Sequence, residues 1–259
     1  RYLDGTRKAM NLFQNIANAT VRIECGSSRG SGFHFLRPDI VVTNHHVVAA
    51  HAGSGVPARA VTEQGQVMNL TLLISSPTDE HDFAVFQVNG SLPEGRYALQ
   101  PRIPDSFDRG TEIVFSGFPH GIPHLLVQSA IISGRVNDSV FYIDGSVNGG
   151  NSGGPIIDRS DGAVIGIVTQ RRFLGAQDLR QLAETANQLR DHCQRIAQGG
   201  GSVQIMGIDF GGFSRLMAEA MLLIGETLEA NANTGIGIGF SIAFIFDACQ
   251  KQGITSGSS

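Results

Sequence analysis

The 259-residue sequence predicts a mostly β fold of two six-stranded antiparallel β-barrels, with an inserted α-helical hairpin and terminal helices. Three observations lead to this prediction. Short apolar runs follow one another between glycine, proline and asparagine, which is typical of small antiparallel barrels. A stretch rich in proline and glycine divides these runs into two groups of six. Between the last two runs, one long segment changes to helical spacing.

The first barrel is predicted from six runs, and the second from six more. The predicted strands of the first barrel are Thr20–Cys25, Gly32–Leu36, Ile40–Thr43, Ala58–Thr62, Val67–Ser75 and Phe83–Val88. Those of the second are Thr111–Ser116, Leu125–Ile132, Val140–Ile143, Pro155–Asp158, Val164–Thr169 and Gly235–Ile242.

The chain accordingly divides into five segments. We expect a helical lead-in over 1–19, the first barrel over 20–92, an interbarrel linker over 93–110, the second barrel with a C-terminal helix over 111–170 and 233–252, and a helical insertion over 171–232.

The insertion is read from its apolar periodicity. Apolar residues recur at alternating spacings of three and four, which predicts a helix with one narrow apolar seam. The seam residues are Leu179, Leu182, Ala186, Leu189, Cys193 and Ile196. A second helix, roughly Ser214–Ala230, completes an antiparallel hairpin that we expect to pack seam to seam. The hairpin is either a self-packed addition or a gate or docking element for a protein partner.

Composition excludes several classes of function. A net charge of −4 and no basic run beyond Arg171-Arg172 argue against nucleic acid as a partner. No apolar run reaches the roughly 20 residues that a membrane-spanning helix needs. The histidines show no metal-ligand spacing, so we expect neither a metal nor a cofactor. Three cysteines cannot all pair, which favours a reducing compartment such as the cytoplasm, although the start at Arg1 indicates a trimmed chain and leaves the compartment undetermined.

One serine lies among glycines in the segment Gly149-Gly150-Asn151-Ser152-Gly153-Gly154-Pro155. A serine hydroxyl becomes a useful nucleophile only when a base takes its proton and donors receive the oxyanion. Flanking glycines allow the backbone to adopt φ > 0 and to point its N–H groups inward. Ser152 is therefore the candidate nucleophile.

Two further segments supply candidate partners for this serine. His45 and His46 follow the strand-like run that ends at Thr43, and because they are adjacent only one can face a given site. Asp82 directly precedes an apolar strand, a place where an aspartate is more often a turn residue. The chain order of histidine, aspartate and serine is compatible with a catalytic triad.

These motifs resemble those of chymotrypsin-fold serine proteases. The run GNSGGP resembles the nucleophile motif of that fold, TNHHV resembles its TN-x-HV motif and selects His46, and DFAV resembles its D-[LIF]-A-[VL] motif and selects Asp82. The resemblance is strongest to the HtrA/DegP-type proteases and covers about two-thirds of the chain, including SRGSGF at 28–33, GFPHG at 117–121 and GIGFSI at 237–242.

The resemblance implies a serine endopeptidase that acts on protein or peptide substrates. Ser152 would attack the carbonyl, His46 would act as the base and Asp82 would orient it. Gly150, Asn151 and Ser152 would form the oxyanion hole, with the N–H groups of Gly150 and Ser152 as donors. Asn151 stands where zymogen-activated trypsins carry an aspartate, so activation by a freed N-terminus is not expected. HtrA-type proteases are often trimers, which makes a homo-oligomer possible.

The resemblance also implies which residues bind substrate. Ser146, Val147 and Ile238 would wall the pocket for the residue before the cleaved bond, and the absence of an acid there argues against selection of lysine or arginine. Ile238 would make the pocket shallow, which favours small aliphatic residues such as valine or alanine. Thr169, Gln170 and Arg171 would lie along the substrate backbone, and the hydroxyl of Thr169 could hydrogen-bond Asp82. Arg171 either attracts acidic residues or is a solvated surface charge.

Two other classes of function remain open at this point. The spacing Gly150-x-Ser152-x-Gly154 also fits the nucleophile elbow of α/β-hydrolases, which needs a helix after the serine and the order serine, aspartate, histidine. The other class is a catalytically silent, trypsin-like protein that binds peptides or partners without cutting them.

Overall fold

The first six strands close into an antiparallel barrel in the order β1-β2-β3-β6-β5-β4. In the computed structural model, which describes residues 12–103, 108–171, 176–198, 204–205, 208–231 and 235–257, each of these strands overlaps a predicted apolar run, and β2 and β3 begin earlier than predicted. The strands are β1 (Thr20–Cys25), β2 (Ser28–Phe35), β3 (Arg37–Thr43), β4 (Ala58–Val61), β5 (Val67–Ser76) and β6 (Phe83–Asn89).

A second antiparallel barrel closes in the order β10-β11-β14-β9-β8-β7. Its strands are β7 (Glu112–Gly117), β8 (Leu126–Arg135), β9 (Val140–Asp144), β10 (Pro155–Asp158), β11 (Val164–Arg171) and β14 (Ile236–Ser241). The predicted fold class of two six-stranded barrels is therefore confirmed. Because Arg171 pairs with Gly237, the long segment between β11 and β14 leaves and re-enters the barrel at adjacent positions.

One apolar cluster is shared by the two barrels, and each barrel also has a cluster of its own. In the shared cluster, large side chains such as Phe33, Phe35 and Ile167 are fully or almost fully buried. The N-terminal helix α1, described over 12–19, adds Ile16 to the same core, and the C-terminal helix α5 (Ala243–Lys251) adds Ile245. Both terminal helices therefore stabilise the contact between the barrels.

The linker between the barrels is hydrogen-bonded to both of them. Leu99 pairs in parallel with Phe35 of the first barrel, and Pro101 pairs in parallel with Val164 of the second. Arg102 also forms an ion pair with Asp158 of β10. Burial alone would raise the pKa of Asp158, but hydrogen bonds from Ser160 and Arg102 and the positive charge of Arg102 outweigh burial and lower it.

Two short helical elements complete this part of the chain. A 3-10 turn (His46–Val48) and helix α2 (Ala49–Ser54) follow β3.

All three cysteines, Cys25, Cys193 and Cys249, are free and buried. Among the helices that the structure describes, none is both long and apolar enough to cross a bilayer.

The segment Arg172–Thr234 forms a separate compact unit. It contains helix α3 (Ala176–Gln198), a two-stranded antiparallel ribbon of β12 (Gln204–Ile205) and β13 (Ile208–Asp209), and helix α4 (Phe210–Asn231). Helices α3 and α4 pack against each other, as the apolar periodicity predicted.

The predicted seam of this hairpin is wrong in part. Ala186 and Cys193 are buried, but Leu189 and Ile196 are about two-fifths exposed. On α4, the buried residues include the small Ser214 and Ala218. Small side chains let two helices approach closely, so the larger seam residues remain at the rim of the contact. The side chains of Leu179 and Leu182 lie outside the described part of the structure.

A buried histidine of the first barrel makes stability depend on pH. His34 of β2 is fully buried and neither ring nitrogen has a hydrogen-bond partner among the described residues. Burial, reinforced by the nearby charge of Arg96, lowers the pKa of His34 from 6.5 to about 4. Between these two pH values His34 binds a proton in the unfolded chain but stays neutral in the folded chain. The free energy of unfolding therefore falls as the pH drops.

We therefore expect His34→Leu to reduce the acid sensitivity of the fold. His34 contributes no penalty above about pH 6.5 and costs the parent on the order of 3 kcal/mol once the pH reaches about 4. Urea unfolding between pH 7 and 4 measures the difference, with the exposed His124→Leu as control. Parallel pH profiles for the parent and His34→Leu would contradict this assignment.

Candidate active site

Asp82 occupies the turn that leads into β6 and has an uncommon backbone conformation. Its φ of 47° lies in the left-handed region that residues other than glycine rarely adopt. Two hydrogen bonds hold this conformation: the N–H of Asp82 donates to Pro77 O at 3.0 Å, and Asn44 Nδ2 donates to Asp82 O at 2.8 Å. The carboxylate is thereby directed into the protein, where its side chain is 1% exposed.

His46 is attached to this carboxylate at two points. Its backbone N–H donates to Asp82 Oδ1 at 3.0 Å, and its Nδ1 lies 2.7 Å from Oδ2. With Nδ1–H donating to the carboxylate, Nε2 of the neutral ring is an acceptor. The side chain of His46 is 36% exposed, so the ring is accessible from solvent. His45 instead places its Nδ1 3.5 Å from Thr78 Oγ1.

Hydroxyl groups complete the environment of the Asp82 carboxylate. Thr169 Oγ1 donates to Oδ2 at 2.9 Å, as predicted, and Thr78 Oγ1 donates to Oδ1 at 3.3 Å. Burial alone would raise the pKa of Asp82, but the hydrogen bonds and charge of His46, together with the Thr169 hydroxyl, hold it below its ordinary value. The carboxylate is therefore ionised at neutral pH and favours the Nδ1–H tautomer of His46.

Thr169 also connects this pair to Ser152. The register of β11 against β14 shifts between Val168 and Gln170, so Thr169 lies at an irregularity in the strand. Its hydroxyl contacts Asp82, while its carbonyl accepts a hydrogen bond from Ser152 Oγ at 3.1 Å. Within the described part of the chain, Ser152 Oγ makes no hydrogen bond to His46. The structure thus brings the three sequence-predicted residues around Thr169, with the serine hydroxyl turned to the Thr169 carbonyl.

The backbone before Ser152 leaves two N–H groups unused. The carbonyl of Gly149 accepts a hydrogen bond from His120 N at 2.7 Å. Because the N–H and C=O of a trans peptide point in opposite directions, the N–H of Gly150 points away from the His120 turn. The N–H of Asn151 is occupied, since it donates to Asn148 O at 3.0 Å. Among the described groups, the N–H groups of Gly150 and Ser152 have no acceptor, so these two can receive an anion.

Two glycines beside the serine cannot carry a side chain. Gly150 has φ of 93°, and a Cβ there would lie 2.3 Å from Phe118 O. Gly153 has φ of 87°, and its Cβ would lie 2.1 Å from Ser31 O. Both the conformation and the close approach of other backbone require glycine at these positions.

The residues predicted to bind substrate are spread over three environments. Ser146 is exposed, whereas Val147 is 2% exposed and packs in the core of the second barrel. Ile238 is partly exposed and pairs with Gln170 across β11 and β14. The side chains of Gln170 and Arg171 lie outside the described part of the structure, which records only their backbone.

Sequence reasoning missed two residues that support the site. Asn44 holds the carbonyl of Asp82, and Ser31 Oγ donates to Gly150 O at 2.6 Å. Both lie within motifs that the sequence displays, but nothing in a motif says which distant backbone group a side chain contacts. The nucleophile-elbow alternative is wrong, because a β-strand, β10, follows Ser152 where that elbow requires a helix.

Comparison with known proteins agrees with this architecture. The family model described as "Trypsin-like peptidase domain" matches residues 30–167. The probable periplasmic serine endoprotease DegP-like of Brucella suis is 35% identical over 150 residues, which are 55% of this chain and 27% of that protein. The chloroplastic Protease Do-like 1 of Arabidopsis thaliana is 30% identical over 159 residues, which are 57% of this chain and 34% of that protein.

Solved structures show the same fold. The Rv3671c protease of M. tuberculosis in its inactive form is similar with a TM-score of 0.51 and 25% identity, over 62% of this chain and 81% of that one. Deg5 is similar with a TM-score of 0.50 and 25% identity, over 64% of this chain and 85% of that one. This chain spans about a quarter to a third of the length of the curated relatives it matches. It belongs to the trypsin-like peptidase family of hydrolases, and within that family to the serine proteases of the HtrA/DegP type.

Proposed function

We propose that the chain is a serine endopeptidase that hydrolyses peptide bonds through an acyl-enzyme, with His46, Asp82 and Ser152 as its catalytic triad. The observation that supports this most directly is the buried Asp82 carboxylate bonded to both the backbone and the ring of an accessible His46. An ionised carboxylate at Nδ1 is what a histidine needs to act as a general base at Nε2.

The reaction follows from these groups. Ser152 Oγ attacks the substrate carbonyl and gives its proton to His46 Nε2, and Asp82 stabilises the resulting imidazolium. The N–H groups of Gly150 and Ser152 receive the negative charge on the carbonyl oxygen. His46 returns the proton to the leaving amine as the peptide bond breaks, and water then attacks the acyl-enzyme in the same way. The products are the two peptide fragments, and His46 and Ser152 are regenerated.

Before the first step, the serine side chain has to rotate. Ser152 Oγ donates to the Thr169 carbonyl, so attack requires rotation about the Cα–Cβ bond to bring the hydroxyl to His46 Nε2. Staggered rotamers of a serine interconvert on the timescale of side-chain motion, which is far faster than typical turnover. The rotation exchanges one hydrogen bond for another and leaves the backbone of the site in place.

A fluorophosphonate probe tests the nucleophile. We expect the probe to label the parent and to fail on Ser152→Ala, because only a serine activated by a base attacks phosphorus at a useful rate. Peptide hydrolysis should fall by roughly 10⁴-fold or more in Ser152→Ala, since the triad acts as a unit. Ser129→Ala, which changes an exposed serine of the same barrel outside the proposed site, is the matched control and should label normally.

The second candidate is a trypsin-like protein that binds peptides without cutting them. The hydrogen bond from Ser152 Oγ to Thr169 O favours this candidate, because it holds the hydroxyl away from the base. The probe separates the two candidates. A folded parent that remains unlabelled with saturating probe and with peptide substrates present would contradict the endopeptidase and support the binding protein.

Specificity follows from the pocket that Ser146, Val147 and Ile238 are proposed to wall. No carboxylate belongs to this set, so it offers no ion pair to a lysine or arginine side chain. The partly exposed isoleucine limits the depth of the pocket. We therefore infer that the enzyme cleaves after small aliphatic residues such as valine and alanine, with the backbone of Thr169, Gln170 and Arg171 alongside the substrate.

Widening this pocket should change the preference. In Ile238→Ala, we expect the ratio of kcat/KM for phenylalanine over valine before the cleaved bond to rise about tenfold or more, because several methylene groups of space are opened. Matched peptides that differ only at this residue give the measurement. Leu73→Ala, which removes the same number of atoms from a partly exposed side chain of the first barrel, is the control and should keep the parental ratio. An unchanged ratio in Ile238→Ala would place the pocket elsewhere.

The helical insertion is the remaining part of the proposal, as an element that regulates cleavage or docks a protein partner. The chain leaves β11 at Arg171 and returns next to it at Gly237, so the insertion is attached directly to the strand that carries Thr169. A protein that binds the insertion can therefore act on β11, a strand of the candidate site, through this covalent connection. Its exposed apolar residues include Leu216 and Leu223, which are more than 60% exposed.

Deletion of 175–232 with a short turn in its place tests this role. Because the ends of the insertion meet across one pair of strands, the second barrel should still close. We expect the deletion to change kcat/KM for a folded protein substrate by at least several-fold and to change the oligomeric state or partner binding measured by light scattering. Unchanged cleavage of short peptides and of proteins, with unchanged assembly, would leave the insertion as a self-packed addition.

A further inference from the structure

Ser31, in the middle of β2, is a fully buried polar residue that contacts the backbone preceding Ser152. Its hydroxyl donates to Gly150 O at 2.6 Å and accepts from Phe118 N at 2.9 Å. Its own N–H donates to Ser152 O at 2.8 Å. Ser31 therefore joins the first barrel to two loops of the second barrel. Its hydroxyl and its N–H both donate to the short segment from Gly150 to Ser152.

The contacts of Ser31 complement those of the His120 turn. The N–H of His120 holds the carbonyl of Gly149, and the hydroxyl of Ser31 holds the next carbonyl, that of Gly150. Two consecutive carbonyls thus each accept a hydrogen bond from an identified donor. Since each trans peptide directs its N–H opposite to its C=O, fixing the carbonyl of Gly149 fixes the N–H of Gly150. Holding the carbonyls of Gly150 and Ser152 then fixes the remaining backbone up to the serine.

We propose that Ser31 is a positioning residue, which holds the segment from Gly149 to Ser152 in the conformation that presents the N–H groups of Gly150 and Ser152 to a substrate oxyanion. This proposal rests on the proposed endopeptidase function. Ser31 contacts neither substrate nor the reacting atoms. It acts through the hydrogen bond from its hydroxyl to Gly150 O.

The burial of this hydroxyl makes its loss consequential. In Ser31→Ala, Gly150 O and Phe118 N would lose their partner in a region that excludes water, and buried backbone groups without partners are strongly disfavoured. Gly150 has no side chain to resist rotation, so the segment can turn to find other partners. Such a turn of the peptide between Gly150 and Asn151 displaces Ser152 and its N–H relative to the N–H of Gly150, which affects the oxyanion of the transition state more than the bound substrate.

A second buried hydroxyl pair provides a matched control. Thr20 Oγ1 and Ser116 Oγ lie 2.7 Å apart and also join the two barrels, but they contact neither Gly149 nor Gly150. Thr20→Val removes this hydroxyl at nearly constant volume. Both variants should lower the melting temperature, so a purely structural role of Ser31 predicts the same kinetic behaviour for both.

The kinetic measurement separates positioning from general destabilisation. For Ser31→Ala we expect kcat to fall by about 10–100-fold with KM changed by less than about threefold, as misplacement of a catalytic group predicts. A peptide aldehyde, whose tetrahedral adduct resembles the transition state, should lose affinity by a similar factor. For Thr20→Val, kcat and aldehyde affinity should stay near the parental values. Equal kcat losses in the two variants, or none in either, would overturn the proposal.

A measurement that needs no activity keeps this proposal separate from the proposed function. Asn151 is the only asparagine in the chain that follows a glycine, so labelling with ¹³C-carbonyl glycine and ¹⁵N asparagine yields one correlation, which reports the carbonyl of Gly150. Loss of the hydrogen bond in Ser31→Ala should move this carbonyl resonance upfield, while Thr20→Val should leave it in place. A parent that does not react with the fluorophosphonate probe would contradict the endopeptidase, yet the resonance would still test the role of Ser31. An unchanged resonance in Ser31→Ala would overturn that role.

Discussion

The buried carboxylate of Asp82 imposes the constraint on which the rest of the site depends. An ionised group with a 1% exposed side chain is tolerated only if donors surround it. The donors come from three places in the chain: the turn after β3 supplies both N–H groups of His46, the turn before β6 supplies Thr78, and β11 supplies Thr169. The barrels therefore have to meet in one register for the charge to be satisfied. The same donors that stabilise the charge also orient the histidine.

The backbone around Ser152 follows a different rule, since most of the residues that flank this serine are glycines. Carbonyl groups approach so closely that Gly150 and Gly153 exclude any Cβ, and the segment is held by donors from β2 and from the turn at His120. Because glycine restricts the backbone less than other residues do, this loop has little intrinsic stiffness of its own. The conformation of this segment is instead held by its neighbours, so the first barrel supports the backbone around Ser152 as well as carrying His46 and Asp82.

Local patterns predicted the barrels because each strand is a short apolar run that lies between glycine, proline and polar turn residues. The start of β2 shows where that signal ends. The predicted strand began at Gly32, whereas pairing begins at Ser28, because the polar and small residues at 28–31 are held in the sheet by their partners on β1. The prediction of the buried residues of α3 was partly wrong for a related reason. Small residues on both helices decide how closely the two helices approach, but the pattern of one helix alone favours its leucines as the buried residues.

Motifs located the residues of the site but not the contacts between them. Thr169 was expected beside Asp82 and is found there, yet the acceptor of the Ser152 hydroxyl, the left-handed backbone of Asp82 and the hold of Ser31 on Gly150 could not be read from spacing. Ser31 and Gly150 are 119 positions apart, and only the closed barrels bring them together. Contacts of this kind, between a hydroxyl and a distant backbone group, are not associated with any regular spacing of residues in a sequence.

The linker that hydrogen-bonds to both barrels has a consequence for the order of events on the ribosome. Gln100 O and Arg102 N find their partners on Val164, so the linker cannot complete its bonds until the strand that carries Thr169 has been made. The half of the candidate site with His46 and Asp82 emerges first, without the Thr169 hydroxyl that donates to Asp82 and without Ser152. Ser152 and Thr169 therefore join His46 and Asp82 only after β11 has been synthesised, so the proposed triad cannot assemble while the first barrel emerges alone.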